Sequence, residues 1–137
     1  MATVRRFEEL EMWIQARILA QKIFELYSSC PTFAKDYKPE DQMNGSSGSV
    51  MDNIAEGFDR GSRNEFVQFL SIAKGSIGEL KSQLYRAFDR KYISEEVLKE
   101  IYELADNVGA QVGSFIKYLN RSGYKGSKFK ERSSQKP

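Results

Sequence analysis

The stretch SRNEFVQFLSIAKGSIGELKSQLYRAFDR, residues 62–90, decides the fold, because its apolar residues recur at alternating intervals of four and three. The recurring residues are Phe66, Leu70, Ala73, Ile77, Leu80, Leu84 and Ala87. This spacing indicates one face of a helix, whereas a strand would need strict alternation. Ser62 and Glu65 form a capping box just before it, in which the Ser62 oxygen accepts from the Glu65 amide and the Glu65 side chain returns to the Ser62 amide. We therefore predict a helix from Arg63 to about Arg90–Lys91.

A first helix is predicted from about Phe7 to Ser28 by the same kind of spacing. Its apolar stripe is Trp13, Ala16, Ala20, Ile23 and Tyr27. Pro31 cannot continue this helix, and Pro39 suits the first turn of the next one.

The second helix is predicted to start near Pro39 and to end at Gly57–Gly61. Its stripe is Met43, Ser47, Val50, Ile54 and Phe58. The segment NGSSGS, residues 44–49, is weak helix material, since each glycine costs about 1 kcal/mol relative to alanine. A loop is therefore an alternative here, but the apolar spacing continues through the glycines and favours a helix.

The fourth helix is predicted to open at Ser94, with Glu95 and Glu96 in its first turn, and Gly123 is a candidate terminator. Its stripe is Val97, Ile101, Leu104, Val108, Val112, Phe115 and Leu119. Four long helices with short connections predict an all-α fold, an antiparallel up-down-up-down four-helix bundle over residues 1–121. Residues 122–137 hold five Lys or Arg against one Glu, and we expect them to form a basic flexible tail.

Composition excludes several classes of site. The chain of 137 residues has no histidine and a single cysteine, Cys30. A Cys–His nucleophile, a Cys/His zinc site and an internal disulfide are therefore excluded. We expect no catalytic residue, no metal and no cofactor. The N-terminus lacks the pattern of a secretion signal and no apolar run reaches the ~20 residues of a membrane span, so we expect a cytoplasmic protein.

Two further patterns concern packing between helices or between copies of the chain. Small residues recur four apart at Ala105, Gly109 and Gly113 and at Ser71 and Gly75, which lets a neighbouring backbone come close. Intrachain packing is one reading and subunit contact is the other. Several large side chains fall outside the stripes, and this surplus of apolar surface favours self-association. They are Phe24, Phe69, Ile72, Tyr85, Phe88, Tyr102 and Tyr118.

The polar residues at the corner between the second and third helices have several candidate roles. Asp52, Glu56 and Asp59 could share a helical face and hold a cation through oxygen ligands, although a solvated acidic face is the alternative. Asn53 could bridge two helices. Glu56 could accept from amides at the start of the third helix or pair with Arg60. Gly57 or Gly61 could take the positive φ that ends a helix.

The sequence NIAEGFDRGSRNEFVQFLSIAKGSIGEL, residues 53–80, resembles the signature of the four-helix-bundle proteins encoded in intervening sequences of bacterial large-subunit ribosomal RNA genes, a ribosomal-protein-like family. The matching residues include Asn53, Glu56, Gly57, Ser62 and Glu65. The opening FEELEMW is similar to the family's opening, and the resemblance extends over about residues 7–119. It implies a ring-like homopentamer. It also implies a distant relation to the accessory protein of diversity-generating retroelements, a pentamer that works with a reverse transcriptase and its RNA.

One departure from the family pattern concerns phosphate contacts. Asn44 and Gly45 stand where the resemblance implies paired arginines. Each neutralised phosphate contributes about 0.9 to the slope of log affinity against log salt, so losing two contacts per subunit would weaken binding. The basic tail could compensate as a flexible electrostatic arm.

Three functional hypotheses follow from the sequence and the resemblance. The first is a nucleic-acid-associated homo-oligomer that contacts RNA phosphates, with a merely solvated cationic surface as its alternative. The residues predicted to bind are Arg60, Arg63, Arg86, Arg90, Lys91, Lys125, Lys128 and Lys130. The second is a scaffold that docks a nucleic-acid-processing protein, such as a polymerase or a reverse transcriptase, without touching nucleic acid. The third is an enzyme, for which the sequence supplies no base with an orienting group and an oxyanion site.

Overall fold

The structure is a computed structural model that describes residues 3–29 and 39–122. A short 3-10 turn at Phe7–Glu9 precedes the helices that these ranges contain. The helices are α1 (Glu11–Ser29), α2 (Pro39–Arg60), α3 (Arg63–Asp89) and α4 (Glu95–Ser122). Neither described range contains a β-strand, so the predicted all-α class is confirmed.

Helices adjacent in sequence pack against one another, and α1 also packs against α4, which closes a four-helix bundle. The pairs α1–α3 and α2–α4 are therefore diagonal. Residue numbers rise along α2 as they fall along α3 at the contacts between these helices. Near the start of α2, Gln42 bonds Arg86, and further along it Ser49 bonds Ser76. This pair is antiparallel.

Contacts between α3 and α4 are also antiparallel. The Phe66 ring, near the start of α3, lies 5.6 Å from the Phe115 ring, near the end of α4. Lys81 and Asp106, closer to the other ends, form an ion pair. The direction of α1, and with it the complete up-down-up-down order, stays a prediction.

The predicted stripes of α2 and α3 are buried in a single core. Every predicted stripe residue of α3 is at most 2% exposed. The stripes of α1 and α4 are displaced in part, because Trp13, Ala20, Val97 and Leu104 are only half-buried while Met12, Leu19, Leu98 and Ala105 lie in the core.

The rings of three phenylalanines pack in a row across α2, α3 and α4. Phe58 meets Phe66 edge-on with ring centroids 5.8 Å apart, and Phe66 meets Phe115 at a tilt with centroids 5.6 Å apart. Within the described part of the chain, no helix combines the length and the apolar character that a membrane crossing requires.

The glycine-containing segment 44–49 is helical, as its apolar spacing predicts. Met43 and Val50 flank it and are fully buried, and Ser47 is only 1% exposed. Packing of this face against the core offsets the weak helix propensity of the two glycines. A Cβ built on Gly45 or Gly48 would meet no atom of the described residues within 4 Å, so packing within that part of the chain requires glycine at neither position.

Helix α1 starts later than predicted. The chain leaves the 3-10 turn at Leu10, whose ψ of 126° is extended, and α1 begins only at Glu11. Leu10 is 0% exposed, so its side chain is buried in the core while its backbone breaks the helix. The Phe7 ring packs edge-on against the Trp13 ring, with the ring centroids 5.1 Å apart. This contact holds the 3-10 turn against the first turn of α1.

The corner between α2 and α3 follows the predicted capping chemistry with one change. The Ser62 Oγ accepts from the Glu65 amide at 3.2 Å and donates to Glu65 Oε1 at 3.0 Å. The Glu65 side chain thus bonds the Ser62 hydroxyl where the sequence predicted its amide. Gly61 takes the positive φ, 84°, whereas Gly57 remains inside α2.

The turn between α3 and α4 is made by Lys91, which has a φ of 65°. The Tyr92 amide bonds the Ala87 carbonyl and the Lys91 amide bonds the Phe88 carbonyl, both at 2.9 Å. This pattern is a Schellman motif, in which glycine is the usual residue at the left-handed position. Helix α4 then starts after Ser94, whose Oγ accepts from the Val97 amide.

Candidate nucleic-acid interface

Arg60 belongs to a compact ion cluster at the α2–α3 corner. Its guanidinium lies 2.9 Å from Glu56 Oε2, 3.6 Å from Glu65 Oε2 and 5.1 Å from the centre of the Phe69 ring. Of the two roles predicted for Glu56, pairing with Arg60 is therefore the one observed. Two carboxylates compensate one guanidinium, so the local charge at Arg60 is not positive.

The predicted cations do not form one patch. Arg60 and Arg63 lie at the corner, while Arg86, Arg90 and Lys91 lie at the far end of α3. Arg63 and Arg90 are 27 positions apart, about 40 Å along a helix at 1.5 Å per residue. The described cations therefore form two separate groups, one at each end of the bundle. Lys125, Lys128 and Lys130 lie outside the described residues, as do Cys30 and Gly123.

A groove between α3 and α4 gathers cations that the sequence analysis did not single out. We call it the lysine groove. It has a volume of about 560 Å³ and is lined by Lys74, Ile77, Gly78, Lys81, Asp106, Gly109, Ala110, Gly113, Ser114, Ile116 and Lys117. Three lysines against one aspartate leave a net charge of +2.

Small residues of both helices line the lysine groove. A Cβ on Gly109 would lie 3.5 Å from Ile77 Cγ2, and one on Gly113 would lie 3.6 Å from Lys74 Nζ. These distances are ordinary van der Waals contacts, so Gly109 and Gly113 face α3 and Lys74 lies close to the α4 backbone, but packing within the described chain does not require glycine at either position. Lys81 is fixed by Asp106 Oδ1 at 2.6 Å and lies 5.0 Å from the centre of the Tyr102 ring. Lys74 and Lys81 are seven positions apart on α3, which could have signalled a shared face.

A second concavity, the α2/α3 cleft, is polar. It has a volume of about 530 Å³ and is lined by Gln42, Gly45, Ser46, Ser49, Ser76, Glu79, Ser82, Gln83 and Arg86. Asn53 does not reach α3 itself. Its Nδ2 donates to the Ser49 carbonyl at 2.8 Å and the Ser49 Oγ at 3.0 Å, and Ser49 bonds Ser76 at 2.9 Å. The bridge between helices therefore runs through Ser49.

At the end of the α2/α3 cleft that lies near the start of α2, Arg86 donates to Gln42 Oε1 at 2.8 Å. Ser46 contacts Glu79 at 3.5 Å in the middle. Gln83 is 8% exposed, and its Oε1 has no hydrogen-bond partner in the part of the chain that the structure describes. The cleft therefore contains a buried acceptor without a donor.

The three carboxylates on α2 do not assemble a cation site. Asp52, Glu56 and Asp59 are exposed, and Glu56 is bonded to Arg60. Over residues 3–29 and 39–122, no group of three or more Asp, Glu, Cys or His side chains is arranged to hold a metal ion.

These features define a four-helix-bundle protein with a lysine-lined groove and a polar cleft on the two sides of α3. The chain belongs to the 23S rRNA-intervening sequence protein family, whose model matches residues 8–114. A solved structure of a protein of unknown function from the S23 ribosomal protein family of Bacteroides thetaiotaomicron is similar in fold, with a TM-score of 0.71 and 23% sequence identity. The similarity covers 77% of this chain and 98% of that one. No curated protein matches the chain. The resemblance seen in residues 53–80 is thus confirmed.

Proposed function

We propose that this chain works in the cytoplasm as a non-enzymatic, oligomeric bundle protein that associates with RNA through phosphate contacts. The observation that carries the proposal is the lysine groove, where Lys74, Lys81 and Lys117 converge from two helices on a floor of small residues. Lysine is a compact point charge that binds phosphate without demanding a fixed orientation. A groove of this charge suits a sugar–phosphate backbone.

The lining of the lysine groove favours backbone contact over base reading. No aromatic side chain is among the described residues that line it, so stacking of bases is not provided there. Phosphate contacts position a protein on nucleic acid but carry no sequence information. The proposed binding is therefore indifferent to sequence.

At the corner end of the bundle, Arg63 adds a cation, whereas Glu56 and Glu65 compensate Arg60. Phe115 of α4 packs against Phe66 beside the corner, and α4 continues from there to Ser122. Ser122, the last described residue of α4, therefore lies toward the end that holds Arg60 and Arg63. Residues 122–137 carry a net charge of +4. Lys125, Lys128 and Lys130 follow α4 in the sequence, and the proposal is that they add phosphate contacts.

The experiment is to measure binding of a single-stranded RNA at about 50 mM and about 200 mM salt, with the full chain and with residues 123–137 removed. We expect binding that weakens steeply as salt rises, with a shallower salt dependence after truncation. An absence of binding at the lower salt concentration would refute the proposal.

Self-association is part of the proposal, and the resemblance suggests a homopentamer. Large apolar side chains remain 41–55% exposed at Ile18 and Phe24 on α1 and at Ile72 and Tyr85 on α3. Because α1 and α3 are diagonal, these side chains lie on opposite sides of the bundle. Two different contact surfaces on one subunit suit head-to-tail association, which forms a ring when the rotation between neighbouring subunits closes. Native mass spectrometry tests this by counting subunits, and a monomer at micromolar concentration would contradict it.

The second candidate is a scaffold that docks a nucleic-acid-processing protein without binding RNA itself. The same exposed side chains, Phe24, Ile72 and Tyr85, favour it, since docking surfaces expose aromatic and aliphatic groups. A co-purified protein partner together with undetectable RNA binding would support this alternative over the first.

A further inference from the structure

The lysine groove ends at two tyrosines, which lie just beyond the residues that line it. Tyr85 follows Lys81 by one turn of α3. Tyr102 precedes Asp106 by one turn of α4. Lys81 and Asp106 form the ion pair across the groove, and the two tyrosine rings meet edge-on one turn further, with their centroids 5.5 Å apart. Because residues four apart share a face of a helix, these rings continue the groove toward the end of α3.

Tyr85 is an exposed ring that its neighbours hold in place. Lys81 Nζ lies 2.6 Å from Asp106 Oδ1 and 5.0 Å from the centre of the Tyr102 ring, so the ion pair positions that ring. Tyr102 is half-buried and packs against the Tyr85 ring at an interplanar angle of 63°. Tyr85 nevertheless remains 51% exposed. A ring that is supported on one side and open on the other offers a stacking surface with little conformational freedom left to lose on binding.

The surroundings of Tyr85 favour a nucleotide as its occupant over a second protein surface. On α3, Tyr85 shares its face with Lys74 and Lys81, and the groove that it adjoins has three lysines against one aspartate. Ile72, which is also exposed on α3, lies 13 positions earlier, about 140° around the helix and so on a different face. An apolar partner at Tyr85 would have to cover the lysines, whereas a nucleotide brings a phosphate for the lysines and a base for the ring. Binding at Tyr85 leaves a contact between subunits at Ile72 free.

We propose that the Tyr85 ring stacks on an unpaired base of a single-stranded RNA whose phosphates lie in the lysine groove. The inference rests on the proposed RNA binding and adds the position at which a base is held. Stacking on an aromatic ring tolerates any base, because every base has a π-face, so this contact agrees with binding that is indifferent to sequence. The groove supplies contacts that weaken as salt rises, and the ring supplies one that does not depend on counterion release.

The test compares two polyanions, a single-stranded RNA and inorganic polyphosphate, which carries phosphate groups but no bases. Tyr85→Ala should weaken RNA binding about five-fold or more, the loss that one stacked base gives on alanine substitution. It should leave polyphosphate binding unchanged. The slope of log RNA affinity against log salt should also stay unchanged, because stacking releases no counterions, whereas the loss of a lysine contact would lower that slope.

Two further substitutions at the same position separate the ring from its bulk. Tyr85→Phe keeps the π-face and is the matched control, so it should bind RNA as tightly as the unaltered chain. Tyr85→Leu keeps an apolar side chain without a π-face and should lose RNA affinity as Tyr85→Ala does. Native mass spectrometry should count the same number of subunits for all three variants as for the unaltered chain.

Equal RNA affinities of Tyr85→Ala and the unaltered chain would overturn the inference and leave the proposed function intact. A loss of polyphosphate binding in Tyr85→Ala, or a changed number of subunits, would also overturn it, because Tyr85 would then act through the fold or the assembly. Full RNA affinity in Tyr85→Leu would show that apolar bulk suffices and would overturn stacking. A failure of the unaltered chain to bind RNA at about 50 mM salt would refute the proposed function as well.

Discussion

Gly57 of α2 and Phe69 of α3 are so close that a Cβ added to Gly57 would lie 2.7 Å from the Phe69 Cβ. The same added atom would lie 3.0 Å from the ring of Phe66. Real side chains do not approach to 2.7 Å, and the Phe69 Cβ is held by its own backbone. Glycine is therefore required here by contact between helices, whereas the turn itself uses Gly61.

Gly57→Ala should lower the free energy of unfolding by about 1–2 kcal/mol, because the corner must open to relieve the overlap. Gly48→Ala is the control on the same helix. Its new methyl group meets open space, so the variant should gain up to about 1 kcal/mol from helix propensity. Urea denaturation measures both. A Gly57→Ala protein as stable as Gly48→Ala would show that the corner is not tightly packed.

Lys91 occupies a left-handed backbone position that costs a non-glycine residue about 1 kcal/mol. Lys91→Gly should therefore stabilise the protein by about that amount. Arg90→Gly removes the same charge one residue earlier, where φ is −89°, and should give no gain. Thermal unfolding of the two variants separates backbone conformation from charge. Equal changes in both would refute the conformational explanation.

Arg60 and Arg63 should differ in their contributions to RNA binding. Arg60 is engaged by Glu56 and Glu65, so Arg60→Gln should barely change the slope of log affinity against log salt. Arg63→Gln should reduce that slope by about 0.7, the value for one phosphate of a single strand. Salt titrations of both variants provide the comparison. A larger change in slope for Arg60→Gln would place the phosphate contact at Arg60.

Removing the unpartnered oxygens should stabilise the free protein. Gln83→Met and Gln111→Met each delete a buried acceptor that has no donor in the described chain. Each variant should gain about 1 kcal/mol in the free energy of unfolding without RNA. Chemical denaturation measures the change. A loss of stability in Gln83→Met would mean that the amide makes a bond on which the fold depends.

The helices could be predicted because their signals are local. Ser62, Ser94 and Pro39 mark helix starts through capping or ring geometry, and the stripe through residues 44–49 outweighs two glycines. The start of α1 could not be predicted this way, since Leu10 fits the apolar spacing and is buried, yet its backbone is extended and α1 begins after it. The position at which α1 begins therefore depends on tertiary packing, which the local sequence does not show.

The candidate site was less predictable for a related reason. Lys74 and Lys117 are 43 positions apart, and they meet only because α3 and α4 pack antiparallel in one register. The sequence shows many cations but not which of them neighbouring carboxylates compensate. Arg60 is therefore a predicted binding residue whose two carboxylate partners only the structure reveals.

The salt dependence of RNA binding by a Lys74→Gln/Lys117→Gln protein tests the central claim most directly. The control is Arg5→Gln/Lys99→Gln, which removes the same charge from exposed side chains that do not line the lysine groove. We predict that the groove variant loses about 1.4 from the slope of log affinity against log salt, two single-strand phosphates, while the control keeps the slope of the unaltered chain. Equal slopes for the two variants would show that the lysine groove does not hold the RNA backbone.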